Sequence, residues 1–395
     1  MNFSLSEEQL AVQEAAREFA RTELLPGVIE RDRTMTPAYD QIKQLGDLGF
    51  LGMMVSPEYG GSGMDTLSYV LAMEELSKID NSTSVLVSVN NSLVCWGLEE
   101  YGTEEQKQKY LTKVATGEWV GAFCLSEPEA GSDATSQRTT AIDMGDHYLL
   151  NGTKNWITNG GQSKLHLVIA QTDAEAGHRG INAFIVETDW DGVNVGAKED
   201  KLGIRGSDTH TIMYNDVRVP KENRIGEDGF GFKFAMKTLS GGRIGIAAQA
   251  LGIAGGAYEL SVKYSKEREA FGKTISRHQA IAFKLASMAT DIEAAKMLVY
   301  RSAWLKDQHL DYNQAGSMAK LYAAEVAMRH TVEAVQIHGG YGYVKEYHVE
   351  RLMRDAKITQ IYEGTSEVQR IVISRNILKG QLYVPVLGGE ELVAV

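Results

Sequence analysis

The order of secondary-structure signals along the chain constrains its fold more than any other feature. Residues from about 5 to 117 and from about 230 to 379 show apolar positions that recur at the spacing of one helix face. Between them, residues 121 to about 228 form short β-rich runs, and four Asn-Gly or Asp-Gly dipeptides occur at their turns. Such dipeptides favour hairpins over parallel crossovers. The sequence therefore predicts a mainly α protein with an inserted antiparallel β domain, divided at 1–120, 121–229 and 230–395.

Local patterns give provisional element positions. Helices are predicted at 37–48, 66–78, 83–101, 278–306 and 312–337, and strands at 148–150, 165–171, 183–187 and 211–214. Capping boxes are expected at Ser4 with Glu7 and at Ser366 with Gln369, where a last helix begins at Thr365 or Ser366. A hairpin turn is expected at 151–152, and Pro220 marks the end of the β domain. The small-residue run 252–257 indicates close contact between helices.

Bulk properties exclude several classes of protein. The net charge is −12 with no stripe of Lys or Arg, so a nucleic-acid-binding surface is not expected. Cys95 and Cys124 have no metal-ligand spacing and are expected to be buried thiols, so no metal site is predicted. The first residues lack a signal-peptide pattern, and no apolar stretch has the length of a membrane span. We expect a cytoplasmic protein, or a mitochondrial matrix protein shown without its presequence.

Common nucleotide signatures are missing from the sequence. There is no GxGxxG and no GxxxxGK[ST], so nicotinamide binding on a doubly wound sheet and P-loop chemistry lose their main support. One remaining candidate is the turn-rich stretch 123–133, where Ser126 and Ser132 offer hydroxyl and N–H groups to a flavin or phosphate. Another is Trp156 with Thr158, a buried aromatic and a hydroxyl expected on one strand face. Read alone, the first is ordinary loop chemistry and the second ordinary core packing.

A third candidate is Glu363, which precedes a glycine and a helix start. A loop held by a rigid element is a usual place for a catalytic side chain. The alternative is a solvated glutamate that interacts favourably with the helix dipole. Similarly, His338 is interpreted as a structural histidine, and Arg243 and Arg268 by themselves are typical surface or ion-pair residues.

Together these stretches resemble the acyl-CoA dehydrogenase family, especially its short-chain (butyryl-CoA) members, over nearly the whole chain. The motifs that carry the resemblance are 125–128 (LSEP), 131–133 (GSD), 151–154 (NGTK), 156–159 (WITN), 198–207 (KEDKLGIRGS), 242–247 (GRIGIA), 268–273 (REAFGK), 336–342 (QIHGGYG), 354–359 (RDAKIT) and 362–365 (YEGT). Each motif is weak alone, and their combination in this order is specific.

The resemblance implies the acyl-CoA dehydrogenase fold: an N-terminal helical domain, a middle antiparallel β domain and a C-terminal four-helix bundle. It also implies a homotetramer, a dimer of dimers, with FAD at a subunit interface. The implied cofactor-binding residues of one subunit are Phe123, Leu125, Ser126, Ser132, Trp156, Ile157 and Thr158, the last near flavin N5. Those reaching the neighbouring cofactor are Arg268, Phe271, Gln279, Gln336, Ile337, Gly339 and Gly340, with added contacts from Thr365 and Glu367. The implied substrate-binding residues are Ser132, Ser240, Arg243, Tyr362 and Gly364.

The implied activity is FAD-dependent α,β-dehydrogenation of acyl-CoA thioesters to trans-2-enoyl-CoA. Glu363 is the expected base, flavin N5 the hydride acceptor and electron-transferring flavoprotein the electron acceptor. Relatives that carry the base near residues 240–245 differ, because this chain has Gly241, Gly242 and Arg243 there. Ser240 stands where family members often have Asp, and Trp96 is expected to close a short acyl pocket. The alternatives are an acyl-CoA oxidase that uses O₂ and a non-enzymatic helical scaffold without flavin.

Overall fold

The computed structural model describes residues 4–380 and shows helices on both sides of a β segment in chain order. The helices are α1 (Glu7–Phe19), α2 (Val28–Thr34), α3 (Tyr39–Asp47), α4 (Thr66–Ser77), α5 (Asn81–Ser88), α6 (Trp96–Tyr101), α7 (Glu104–Gln106), α8 (Thr112–Ala115), α9 (Gly231–Glu267), α10 (Gln279–Asp307), α11 (Asn313–His338), α12 (His348–Thr359) and α13 (Ser366–Leu378). Three π-helical stretches continue α1, α5 and α7: Ala20–Leu24, Val89–Cys95 and Lys107–Leu111.

The middle segment forms one sheet of eight strands. They are β1 (Gly121–Cys124), β2 (Thr140–Asp143), β3 (His147–Thr158), β4 (Leu165–Gln171), β5 (Ile181–Glu187), β6 (Val193–Lys198), β7 (Thr209–Pro220) and β8 (Arg224–Ile225). The order is β6-β7-β3-β2-β4-β5-β8, with β1 beside β4. Most neighbours are antiparallel as predicted, but β1 and β2 both pair with β4 in parallel. Two further short strands, β9 (Glu269–Ala270) and β10 (Lys273–Thr274), form a separate hairpin after α9.

Helix α9 connects the parts of the molecule. Its first residues pack against β5, and its small-residue middle part packs against α4 and α11. A side-chain Cβ at Gly252 would lie 2.3 Å from the Glu74 carbonyl oxygen, and one at Gly256 would lie 2.5 Å from the Lys78 carbonyl oxygen. The predicted close helix contact at 252–257 is therefore confirmed.

The sheet separates two hydrophobic clusters because successive strand residues point to opposite faces. Phe123, Leu167 and Ile169 face α5, α6 and the start of α9, whereas Cys124 and Val168 belong to the cluster on the other face. A third cluster is shared by the N-terminal helices and α9 to α12. Cys95 and Cys124 are free and buried, as expected.

Several local predictions are wrong. The N-cap of α1 is Ser6, paired with Gln9 in a capping box, not Ser4 with Glu7. The expected hairpin at 151–152 does not form, because β3 continues to Thr158 and absorbs the dipeptide in a register shift between Leu150 and Gly152. The other Asn-Gly and Asp-Gly dipeptides lie in turns.

No helix within residues 4–380 is long and apolar enough to cross a membrane. The same residues contain no group of three or more His, Cys, Asp or Glu side chains that could hold a metal ion. Residues 384–395, for which the sequence predicts no structure, lie outside the described residues.

Candidate active site

Glu363 lies on the short loop between α12 and α13, as the sequence indicated. The loop backbone is left-handed at two successive residues, with φ of 50° at Glu363 and 91° at Gly364. The non-glycine residue in this region is strained and persists only where its surroundings hold it. The Thr365 hydroxyl caps α13 by accepting a hydrogen bond from the Val368 N–H at 3.2 Å.

The predicted capping box of Ser366 with Gln369 is wrong, because the Gln369 side chain is used differently. Its Nε2 donates to the carbonyl oxygens of Gly364, at 2.9 Å, and Glu363, at 3.3 Å. A second donor, the Nζ of Lys320 on α11, reaches the Gly364 carbonyl at 2.8 Å. Side chains from two helices therefore fix the loop that carries Glu363.

The Glu363 carboxylate is packed against α9. Oε2 is shielded from solvent and has no hydrogen-bond partner among residues 4–380. A Cβ at Gly242 would lie 2.2 Å from this oxygen, so only glycine leaves room for it. Burial raises the pKa of Glu363 to about 7, although the positive charges of Lys320 and Arg243 oppose the shift. A carboxylate with this pKa and a free oxygen is suited to accept a proton near neutral pH.

Arg243 is buried beside this carboxylate, with 7% of its surface exposed. Its Nη1 donates to Asn313 Oδ1 at 2.8 Å and to Ser317 Oγ at 3.1 Å, while Nε has no partner among the described residues. The Ser240 hydroxyl donates to the Met236 carbonyl at 2.9 Å and lies 3.2 Å from the same Asn313 oxygen. Asn313 therefore joins the two predicted substrate-side residues of α9.

Tyr362 is anchored beneath the loop. Its hydroxyl donates to Gln249 Oε1, and the Gln249 amide donates to the Asn81 carbonyl and to Ser84 Oγ, both at 3.1 Å. This chain of hydrogen bonds ties the loop to α9 and α5. The ring of Tyr362 packs on the cluster that contains Phe123 and Leu125.

The β segment brings a second set of predicted residues near the base. Phe123 and Leu125 share a cluster with Leu93, which borders Gly242 and the Glu363 carboxylate. Ser126 is half-buried, and its carbonyl accepts from the Asn155 N–H at 2.9 Å, whereas Ser132 is exposed. Within one chain, Phe123 and Leu125 therefore belong to the same cluster as the side chain that borders Gly242.

A buried ion pair supports the stretch that carries Leu125 and Ser126. The Nζ of Lys154, fully buried, donates to the Leu125 carbonyl at 2.9 Å, to Glu127 Oε1 at 2.7 Å and to Gln137 Oε1 at 3.1 Å. The Glu127 carboxylate also accepts the N–H groups of Arg138 and Thr139. These bonds give the stretch a fixed path over the sheet.

Trp156 differs from the prediction. It is 61% exposed instead of buried, with a φ of 62°. The β3–β7 register shifts between Lys154 and Ile157, which interrupts the strict alternation on which the prediction depended. Ile157 is buried and Thr158 is half-buried.

Four of the other predicted cofactor residues, Arg268, Ile337, Gly339 and Gly340, line a different cavity, of about 520 Å³, at the C-terminal ends of α9 and α11, whereas Thr365 and Glu367 lie at the start of α13. The cavity is lined by Tyr264, Arg268, Ile275, Ile337, His338, Gly339, Gly340, Tyr341 and Val344. The Arg268 guanidinium lies over the Tyr341 ring, 5.6 Å from its centre. Nearby, Phe271 is 95% exposed, and Gln279 and Gln336 are exposed. His338 Nδ1 donates to the Ala334 carbonyl at 2.8 Å, and its ring stacks on Tyr264, as a structural histidine would.

Sequence models of three acyl-CoA dehydrogenase domains match this chain. The N-terminal domain matches residues 6–118, the middle domain 122–217 and the C-terminal domain 229–378. The chain belongs to the acyl-CoA dehydrogenase family. It is accordingly an oxidoreductase with the three-part fold of that family.

Individual relatives cover almost the full chain. A short-chain-specific acyl-CoA dehydrogenase of Clostridium acetobutylicum is 50% identical over 96% of this chain and 100% of its own length. The structure of butyryl-CoA dehydrogenase from Megasphaera elsdenii is 48% identical with a TM-score of 0.94, covering 96% of this chain and 100% of that one. The subunit CarC of the caffeyl-CoA reductase-Etf complex of Acetobacterium woodii is 47% identical over 95% of this chain and 99% of its own length.

Sequence reasoning missed several residues of this acyl-CoA dehydrogenase site: Lys154, Gly242 as a contact, Asn313, Lys320 and Gln369. Their roles depend on contacts between residues far apart in the sequence. One signal was available for Lys320, which is the single charged residue in an otherwise small and apolar run, 315–324. A lone lysine in such a run of a core helix indicates a buried cation that needs a partner.

The contact between Gly242 and Glu363 gives a direct test. Gly242→Ala should displace the carboxylate and lower acyl-CoA-dependent reduction of an artificial acceptor by roughly 10²-fold, the usual cost of about 1 Å of misplacement. Gly241→Ala is the matched control, because its Cβ would meet nothing nearer than Lys306 Nζ at 3.9 Å. Equal rates for the two variants would contradict this role of Gly242.

Proposed function

We propose that this enzyme is an FAD-dependent dehydrogenase of short-chain acyl-CoA thioesters, with Glu363 as the base that removes the α-proton. The observation that carries the proposal is the unpartnered, solvent-shielded Oε2 of Glu363 beside Gly242. The glycine at 242 leaves no competing acid at that point of α9. The names of the relatives from Clostridium acetobutylicum and Megasphaera elsdenii support a short acyl chain.

The chain supplies two of the groups that proton abstraction requires. The α C–H of a thioester is a weak acid, so charge develops on the thioester oxygen as Glu363 takes the proton. Among residues 4–380 the Glu363 N–H has no acceptor, so it is available to that oxygen. A donor of this kind commonly contributes roughly 3–4 kcal/mol to the transition state. The left-handed loop, held by Gln369 and Lys320, orients this N–H and the carboxylate together.

The residues present fit a flavin. Phe123 and Leu125 give an apolar surface in the cluster that borders Gly242, and Ser126, Ser132 and Thr158 carry hydroxyl groups that are half-buried or exposed. The Arg268 cavity adds a cation and the exposed backbone of Gly339 and Gly340, which suits a diphosphate. When bound, FAD supplies the acceptor for the hydride that leaves the β-carbon.

The spacing of these two groups favours a site shared between copies of the chain. The ring centre of Phe123 lies 6.3 Å from that of Phe234, which is near the start of α9. Arg268 is the C-cap residue at the opposite end of the same helix. A helix of 37 residues rises ~55 Å. One flavin cannot reach both groups of the same chain, so a second copy supplies the Arg268 group. A flavin shared in this way requires two copies, and we infer that two such dimers form the homotetramer that the family resemblance implies.

Light scattering on the flavin-loaded protein tests this assembly. The expected mass is four times that of one chain, and Arg268→Ala should lower flavin retention because it removes the cation from the shared site. A stable monomer that retains flavin would rule out the shared site.

The acyl chain and the electron acceptor can be measured in one panel. With straight-chain C4 to C16 acyl-CoAs, turnover should be highest for the shortest, since Trp96 lies on α6 beside the Tyr101 ring and fills space there. Electrons should pass to electron-transferring flavoprotein, in line with the Etf complex named for CarC. A preference for C16 would contradict the short-chain assignment. Rapid peroxide formation without the flavoprotein would favour the oxidase alternative, and absence of flavin absorbance would favour the scaffold.

Glu363→Gln should keep bound flavin and lose activity by orders of magnitude, because an amide cannot accept the proton. In the unmodified enzyme, kcat/KM should fall as the pH drops below about 7, where Glu363 becomes protonated. Glu346→Gln, which removes the same charge at an exposed position, is the control and should keep the rate of the unmodified enzyme. Near-normal turnover of Glu363→Gln would refute Glu363 as the base.

The same pKa has a consequence for stability. Since the folded pKa of Glu363 is raised from the ordinary 4.5 to about 7, the free energy of unfolding falls progressively as the pH rises from about 4.5 to 7, and the loss is complete above 7. Glu363→Gln should therefore raise the free energy of unfolding at pH 8, by no more than about 3 kcal/mol, and should change it least below pH 4.5.

A further inference from the structure

Lys320 is a charged side chain buried in the core of the helical part of the chain, and its hydrogen bond is to the loop that carries Glu363. It lies on α11 with 0% of its surface exposed. Its Nζ donates to the Gly364 carbonyl at 2.8 Å and makes no ion pair within 4.0 Å among residues 4–380. A lysine ammonium has three N–H donors, so a single hydrogen bond to a carbonyl compensates its burial only in part.

The contact of Lys320 differs in kind from the others on the loop. Gln369 belongs to α13, the helix that the loop itself begins, so its bonds to the Glu363 and Gly364 carbonyls move with the loop. Lys320 belongs to α11, which packs along α9. It therefore fixes the left-handed Glu363–Gly364 pair relative to the helix that carries Gly242 and Arg243.

The charges around Glu363 come from each element packed against it. Lys320 lies on α11, Arg243 on α9 and Tyr69 on α4, and Tyr362 precedes Glu363 on its own loop. Burial raises the pKa of both tyrosines, so they are neutral at physiological pH. The two cations are therefore the charges that act on the carboxylate.

We propose that Lys320 is a positioning residue for proton abstraction: it holds the Gly364 carbonyl and, by its positive charge, favours the carboxylate form of Glu363. The inference rests on the proposed role of Glu363 as base. Arg243 cannot replace it, because Arg243 donates to Asn313 and Ser317 and makes no contact with the loop backbone in the described structure. Lys320 alone combines the charge with the anchor.

The sign of the effect follows from Coulomb's law. Without the charge of Lys320, the pKa of Glu363 rises above about 7, and the carboxylate fraction at neutral pH falls. Burial lowers the pKa of Lys320 itself to about 8, so its charge is present over the pH range in which Glu363 titrates. Each unit by which the Glu363 pKa rises lowers the carboxylate fraction tenfold at pH values below it.

The experiment compares the flavin-loaded enzyme with Lys320→Met, Lys320→Arg and Lys201→Met, using butyryl-CoA and an artificial electron acceptor. The pH dependence of kcat/KM is followed between about pH 5.5 and 8.5. Lys320→Met should move the acidic midpoint upward and lower kcat/KM at pH 6 by at least about tenfold. Lys320→Arg, which retains the charge, should keep the midpoint near that of the unmodified enzyme.

Lys201→Met is the matched control. Burial also lowers the pKa of Lys201 to about 8, and its Nζ donates to a backbone carbonyl, that of Ser207, at 2.9 Å. Its loop connects β6 to β7 and is not part of the proposed site. Thermal unfolding measured in parallel shows how much stability is lost when each buried lysine is replaced. The acidic midpoint of the kcat/KM profile should move only for the substitution at position 320.

The outcomes separate the two hypotheses. An unshifted midpoint in Lys320→Met overturns the inference, whether or not the variant unfolds at lower temperature. If Lys320→Met does not fold, Lys320→Gln takes its place with the same expected shift. Glu363→Gln measured in the same assay tests the base: its activity would refute the proposed function, whereas an inactive Glu363→Gln with an unshifted Lys320→Met profile refutes only the role of Lys320.

Discussion

The close packing of helix α9 is the constraint on which the rest of the structure depends. Its glycines let the neighbouring backbones approach: the Glu74 carbonyl lies where a Cβ of Gly252 would be, and the Glu363 carboxylate where a Cβ of Gly242 would be. Glycine within a helix costs roughly 0.5–1 kcal/mol relative to alanine. Dispersion contacts along the helix offset that cost. The same helix that organises the fold therefore also makes room for the proposed base.

The active-site loop depends on tertiary contacts because its own conformation is unfavourable. Glu363 has a positive φ, which a side-chain-bearing residue rarely adopts. The loop is kept in place by bonds to the Glu363 and Gly364 carbonyls and by Tyr362 bonded to Gln249. These partners occupy the carbonyl groups and leave the Glu363 N–H and Oε2 free. Anchoring at one side of the loop thus creates unsatisfied groups at the other, where a substrate would bind.

Much of the architecture could be predicted from the sequence, because local patterns there agree with the fold. The strand at 165–171 and the helix contact at 252–257 depend on short-range signals that tertiary structure did not override. The hairpin at 151–152 failed because β7 pairs with β3 on both sides of the dipeptide, and that pairing is a long-range contact. Within the site, Glu363 and Arg243 could be proposed from motifs. The contacts of Asn313 with Arg243 and of Lys320 with the Gly364 carbonyl could not, since they exist only once α11 lies beside α9 and the loop.

The chemistry of the site depends on two opposing effects on one carboxylate. Burial alone would raise the pKa of Glu363 further, so a smaller fraction of the group would be ionised at neutral pH and able to accept a proton. The two cations alone, in a solvated loop, would make it an ordinary weakly basic carboxylate. With both present its pKa is about 7, where the ionised form is available and still basic enough to be effective. Neither cation forms an ion pair with Glu363 within 4.0 Å in the described structure, and this distance leaves Oε2 unpartnered. A direct salt bridge would stabilise the charge further, but it would occupy the oxygen that receives the proton in the proposed reaction.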